Sequence, residues 1–173
     1  MPVRWGRCAL ALALAVSALG CAHRTTTDAS SPEAAAVGRP VQGDVAFYLE
    51  AESGRADALK LAMLHPVDGA PVEVSLQPQP VVARGEVATV AMAIEDNGFA
   101  ALDLRLDPSG AQHLRQVTAD NVGKRMAVVA AGRVLTVATV MGEIGDGKVR
   151  VAGLNFVDAQ TVYRRLTEAA PAR

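Results

Sequence analysis

From Phe99 to Leu106 the chain alternates. Leu102, Leu104 and Leu106 share one side of an extended segment, and Asp103 and Arg105 share the other. A two-residue period marks a strand buried on one face and wetted on the other. Asp96-Asn97-Gly98 precedes it, a turn sequence in which Asn and Gly tolerate positive φ. Asp107-Pro108-Ser109 follows it as a helix start, with Asp107 or Ser109 as the cap and Pro108 in the first turn. Val87–Ile94 (VATVAMAI) has the residue types of a strand, although an Ala-rich apolar run also suits a helix. The expected unit is an antiparallel hairpin of 87–94 with 99–106 that runs straight into a helix.

The remaining segments from Asp44 onward add to this unit. Val45–Glu50 reads as a short strand. Ala58, Leu59, Leu61, Ala62 and Leu64 fit either a short helix or a strand-edge segment, which His65-Pro66 ends. Asp68-Gly69 is a turn signal. Val72, Val74 and Leu76 alternate with Glu73, Ser75 and Gln77, and Pro78-Gln79-Pro80 confines any pairing there to an edge. Ala111, Leu114 and Val117 stand at helical spacing, and that helix ends near Thr118 to Asn121, with Gly123 in the next loop. Met126–Ala130 and Val134–Val140 read as strands around an Ala131-Gly132-Arg133 turn. Gly145-Asp146-Gly147 reads as another turn, and Lys148–Gly153 as another strand. Asn155 starts a last helix of roughly 157–169, with Val157, Val162 and Leu166 toward the sheet and Arg164, Arg165 and Glu168 toward solvent. The expected class is α+β: a mostly antiparallel sheet with two main helices on one face, a two-layer sandwich.

Composition narrows the functions such a domain can have. Half of the 173 residues are hydrophobic, enough for a real core and too apolar for a disordered chain. Seventeen basic side chains face 18 acidic ones, which argues against nucleic-acid binding because phosphate neutralisation needs clustered Lys and Arg. Two cysteines and three histidines exclude a Cys-rich zinc site or a disulfide scaffold.

Residues 1–20 read as a targeting segment outside the fold. Arg4 and Arg7 form a basic start, and Cys8–Leu19 is an apolar run of twelve residues. That suits a signal-peptide core and falls short of the roughly 20 residues that span a bilayer. The run ends at Ser17-Ala18-Leu19-Gly20-Cys21, which resembles the lipobox of bacterial lipoproteins, with Ala18 where Leu is commoner. The resemblance implies cleavage between Gly20 and Cys21 and acylation of the Cys21 thiol with palmitate-type chains. With Ala22 next, it implies an outer-membrane anchor facing the periplasm. The alternative is an ordinary secretory signal in which Cys21 is incidental. Two acyl chains anchor stably where one does not. Residues 21–43, rich in Ala, Ser, Thr, Pro and Gly, then read as a lipidated Cys and flexible tether reaching roughly 25 Å, and 44–173 as the domain.

A wider pattern runs through that domain. Leu104-Arg105-Leu106 and Ser109-Gly110-Ala111 are followed by Thr118, Asn121, Gly123-Lys124 and Met126-Ala127-Val128-Val129. Gly132, Val134, Ile144, Gly147, Val151-Ala152-Gly153, Phe156 and Ala159 complete it. This resembles the head subdomain of the first periplasmic region of SecD, the protein-export translocase subunit. Agreement is dense over about 70 residues from Phe99 and weaker back to Val72. Two positions depart: Ala131 stands where the family usually has Asp before Gly132, and Val137-Ala138 is not followed by the family's Pro. SecD continues into membrane helices that couple ion flow to head movement, so a head-like domain alone is not expected to harvest a proton gradient. The resemblance implies a lipid-anchored, periplasm-facing binding module that assists export or handles translocated polypeptides. The second reading is a structural or assembly lipoprotein that binds an envelope protein and has no export role.

Catalysis is not expected. GxSxG, HExxH, CxxC and P-loop motifs are missing from the sequence, and no cofactor or metal ligand set is expected. His113 reads as a solvated helix residue, Asp103 as part of a polar strand face and Asp107 as a cap. Gly142–Gly147 resembles a phosphate loop only superficially, since no helix follows it, and it reads as a hairpin turn. Thr118 and Asn121 read as residues that bond loop backbone at the helix end. Binding is the expected role. An open sheet edge recruits an extended peptide through main-chain hydrogen bonds, and the expected partner is an unfolded or translocating polypeptide or an envelope protein.

Overall fold

Short-range signals set most of the elements. The computed structural model describes residues 38–64 and 70–168. All described residues lie in one compact unit. The strands are β1 (Arg39–Pro40), β2 (Val45–Leu49), β3 (Leu59–Ala62), β4 (Glu73–Leu76), β5 (Val87–Ile94), β6 (Ala100–Leu106), β7 (Arg125–Ala130), β8 (Arg133–Thr139) and β9 (Lys148–Leu154). The helices are α1 (Pro108–Asp120) and α2 (Phe156–Thr167). The ambiguous segment around Leu61 is therefore a strand, as is the Ala-rich run of β5.

The expected hairpin of β5 and β6 is present, from Val87↔Leu106 to Ile94↔Ala100. In its turn Asn97 Oδ1 accepts from Phe99 N at 2.9 Å. Asp107 caps α1, its Oδ1 accepting from Gly110 N at 2.7 Å, with Pro108 in the first turn where its missing N–H costs nothing. Asn155 caps α2 by accepting from Val157 N at 2.9 Å. The turn from β7 to β8 places Ala131 at φ +51° and Gly132 at +77°, the two left-handed residues of a tight hairpin turn.

Every named strand pair is antiparallel, and the α+β class holds, with the strands divided among three sheets. One sheet runs β1-β5-β6-β9, a second β2-β7-β8, and a third is the ribbon β3-β4. Isolated bridges Glu50↔Leu76 and Met63↔Val134 tie the ribbon to both outer strands of the second sheet. Strand β7 is buried almost throughout, and its two faces serve different cores. Met126, Val128 and Ala130 join the main core with Phe47, Leu102, Leu104, Leu114, Val162 and Leu166. Ala127 and Val129 face a smaller cluster with Val74, Leu76 and Val134 beneath the ribbon.

Three sequence expectations need correction. Arg39–Pro40, expected within the tether, pair with Thr89 and Val90, and Gln42 N and Gly43 N both donate to Leu166 O. Folded structure therefore begins before residue 44. Val157 does not face the sheet; it is 66% exposed, while Ala159, Val162 and Leu166 are buried. At about 100° per residue, Val157 lies roughly 140° around the helix from Val162. Third, Gly142–Gly147 is not a hairpin turn, because β9 pairs with β6 and not with β8. The Asp68-Gly69 turn, residues 1–20, Gly20, Cys21 and residues 21–37 lie outside the described residues.

Candidate functional site

The loop from β8 to β9 joins edge strands of two different sheets, and the space between those edges is a cleft of about 620 Å³. Met126 and Val128 line it from β7, and Val149 and Val151 from β9. Thr136 and Ala138 of β8 share their face, since Val128 pairs with Thr136 and Met126 with Ala138. The cleft thus opens on the main core where no helix closes it. Met141, 86% exposed, stands at its mouth.

Several of the motif residues hold this loop in place. The buried Thr118 hydroxyl donates to Leu114 O at 2.7 Å and accepts from Ile144 N at 2.9 Å. Gly123 N donates to Val140 O at 2.8 Å, and Val140 N to Lys124 O at 2.9 Å. Asn121 Nδ2 donates to Val117 O, and its Oδ1 accepts from Lys124 Nζ. Arg115 pairs with Glu143 at 2.8 Å across the loop. Away from the loop, Gly110 packs on the short helical turn Arg84–Glu86 that precedes β5, where the Glu86 carbonyl oxygen would lie 2.6 Å from an added Cβ. Thr118 therefore bonds loop backbone as the sequence indicates, whereas the Asn121 amide bonds its own helix.

The two edges of the cleft differ. Strand β9 carries Lys148 and Arg150, charges of the kind that discourage strand addition. Arg150 pairs with Asp103 at 3.4 Å. Strand β8 has its single charge at Arg133 and then continues as Val-Leu-Thr-Val-Ala-Thr. Among the described residues its outer edge is engaged only at Val134, whose carbonyl accepts from Leu64 N at 2.8 Å. By contrast, β2 has its outer edge covered by Val82 and by Leu76. Among the described residues, β8 therefore presents an edge with no main-chain partner beyond Val134, and it borders an apolar cleft. The sequence points to an open edge in general but not to this one, because nothing local shows that β9 leaves β8 for β6.

The other candidates find structural roles. His113 is exposed and pairs through Nδ1 with Glu86, which also accepts from Ala83 N at 2.7 Å. Asp103 lies on the solvent side of β6 with Arg150, and Asp107 is a cap. Among the described residues no three His, Cys, Asp or Glu side chains converge, and no helix is long and apolar enough to cross a membrane.

Comparison with known proteins agrees with this geometry. The chain is 30% identical over 79 residues to protein translocase subunit SecDF of Thermus thermophilus, covering 46% of this chain and 11% of that protein. It is 28% identical over 90 residues to protein translocase subunit SecD of Rhodobacter capsulatus, covering 52% and 16%. The chain therefore spans less than a fifth of either relative. A solved structure of SecDF, described as a membrane component that enhances protein export, superposes with a TM-score of 0.54 at 19% identity over 77% of this chain and 66% of that one. SecDF in its super-membrane-facing form gives the same TM-score over 77% and 20%. Both structural likenesses speak to the fold alone. The family model of the SecDF P1 head subdomain matches residues 57–166, from the loop before β3 to the last turn of α2, and the chain belongs to that family.

Proposed function

We propose that this domain is a non-catalytic module that holds extended segments of polypeptide in transit through protein translocation. The observation that carries this reading is the outer edge of β8, which among the described residues has no main-chain partner beyond Val134 and borders an apolar cleft. An incoming strand gains main-chain hydrogen bonds from that edge, and alternate side chains enter between Val149, Val151 and Met141. Such recognition is tolerant of sequence, as a component acting on many different chains requires. Kinship with translocase subunits supports the link to export.

The same reading places the domain in the cell envelope, facing the periplasm, and tethered through acylated Cys21. The support is the basic start, apolar run and Gly20-Cys21 junction of residues 4–21. Mass spectrometry of the native protein tests the anchor: a diacylated Cys21 as first residue is expected, and an unmodified amino terminus retaining the leader contradicts it.

The binding role is tested with a photoreactive residue at Thr139, on the β8 edge, and another at Gln112, on the exposed side of α1. A reduced and carboxymethylated polypeptide serves as probe. Crosslinks at Thr139 and few at Gln112 are expected. Equal yields at the two positions, or none, overturn the assignment.

A further inference from the structure

A second cavity, of about 290 Å³, lies where α2 faces the β7–β8 turn. Asp158, Thr161, Val162 and Arg165 line it from one stripe of the helix, at positions i, i+3, i+4 and i+7. Across from them stand Ala130, Ala131 and Arg133. Leu64 adds a further apolar wall, held by its N–H bond to Val134 O at 2.8 Å.

The charges in this cavity do not cancel. Arg55, Arg84, Arg115, Arg125 and Arg150 each reach a carboxylate. Arg133 and Arg165 reach none among the described residues, yet both line this one cavity. Asp44 comes close through its carbonyl, which accepts from Ala131 N at 3.0 Å, but its carboxylate lies on Arg84 at 2.8 Å. Two guanidinium groups against the carboxylate of Asp158 leave positive charge in excess. The other polar groups are committed: the Thr161 hydroxyl donates to Val157 O at 2.8 Å, and Ala131 N is taken by Asp44 O. The donors left for a ligand are the two arginine side chains.

We propose that this cavity binds a single carboxylate carried on a compact aliphatic group. A guanidinium presents a planar fork of N–H donors that matches a carboxylate, and one carboxylate neutralises the excess charge. Leu64, Ala130 and Val162 receive the aliphatic part. At about 30 Å³ per water-sized group, the volume admits roughly ten non-hydrogen atoms. Phosphate sites draw on backbone N–H and helix N-termini. Here Arg165 belongs to the last turn of α2, where the helix carbonyls disfavour a dianion. The cavity shares no lining residue with the β8 cleft, and neither assignment depends on the other.

The test titrates the isotope-labelled full chain with N-acetyl-leucine and follows amide shifts by NMR. Saturable shifts at Ala131, Thr161 and Val162 are expected, with a dissociation constant on the order of 1 mM for a ligand of this size. Binding is expected to weaken roughly tenfold in Arg133→Gln and in Arg165→Gln, each of which removes a charge-assisted donor. Both arginines are exposed, so the remaining amide spectrum of each variant is expected to match the parent and to separate lost binding from lost fold. Equal shifts with N-acetyl-leucinamide, which lacks the charge, overturn the proposal. So does dimethyl phosphate binding as tightly as N-acetyl-leucine, or unchanged affinity in both variants. A peptide ending in leucine distinguishes the sources: tighter binding than N-acetyl-leucine assigns the cavity to polypeptide chain ends, and weaker binding to a free small acid. Photocrosslinking at Thr139 is expected to be unchanged in both variants.

Discussion

Ile144 N donates to the hydroxyl of Thr118 at 2.9 Å, joining residues 26 apart in sequence. This bond fastens the middle of the β8–β9 loop to the last turn of α1, and the loop frames one wall of the cleft. Thr118→Val keeps the shape but leaves the Ile144 N–H without its acceptor. A loss of about 1–3 kcal/mol in urea unfolding is expected, with Thr118→Ser losing less. Equal stability of the Val variant and the parent would show that water replaces the hydroxyl at no cost.

The β7–β8 turn carries a strained residue. Ala131 holds φ +51°, a region where a Cβ is penalised and Asn, Asp or Gly sit more comfortably. The family's usual Asp at this position follows from the same geometry. Ala131→Asn is expected to raise stability by about 0.5–1 kcal/mol, read as a higher denaturation midpoint with an unchanged slope.

Gly110 has a different constraint. A Cβ there would sit 2.6 Å from the Glu86 carbonyl oxygen and 2.8 Å from Glu86 Cβ. Helix propensity alone would make Gly110→Ala stabilising by about 1 kcal/mol. The clash with backbone reverses the sign, and a net loss is expected on chemical denaturation.

Asp57 gives a pH signature. Its hydrogen bond from Arg55, 2.6 Å from Nε, holds the carboxyl below the usual aspartate value. A folded-state value below the unfolded one means that the pair supports the fold above the ordinary aspartate pKa. That support is lost as pH falls through the depressed value. Both groups are solvent-exposed, so the effect is best read at the site itself. Carboxyl carbon shifts in an NMR titration are expected to move Asp57 back to the ordinary range in Arg55→Gln.

Most of the fold could be read locally. Alternation at Leu102 and Leu104, the Asn97-Gly98 turn and the Asp107-Pro108 start each act within a few residues, and each appears as expected. What could not be read is partner choice at longer range. The loop after Thr139 allows β9 to pair with either β8 or β6, and the choice of β6 depends on packing across the whole core. The candidate cleft follows from that choice, which is why the sequence indicates an edge without saying which. Helix phase was the other weak point: Val157 has the right chemistry for the core but lies on the wrong side of α2.

Strand β7 has a mechanical consequence. Its two faces supply side chains to both hydrophobic clusters, and β8 hangs from it along an antiparallel ladder interrupted by one register shift between Val128 and Val129. A tug on anything gripped by β8 is therefore shared between two sets of packed side chains, and neither can loosen while the other holds. The domain should yield to load in one abrupt event, with the β7 amides the last to exchange with solvent, and until then it transmits force as a stiff lever.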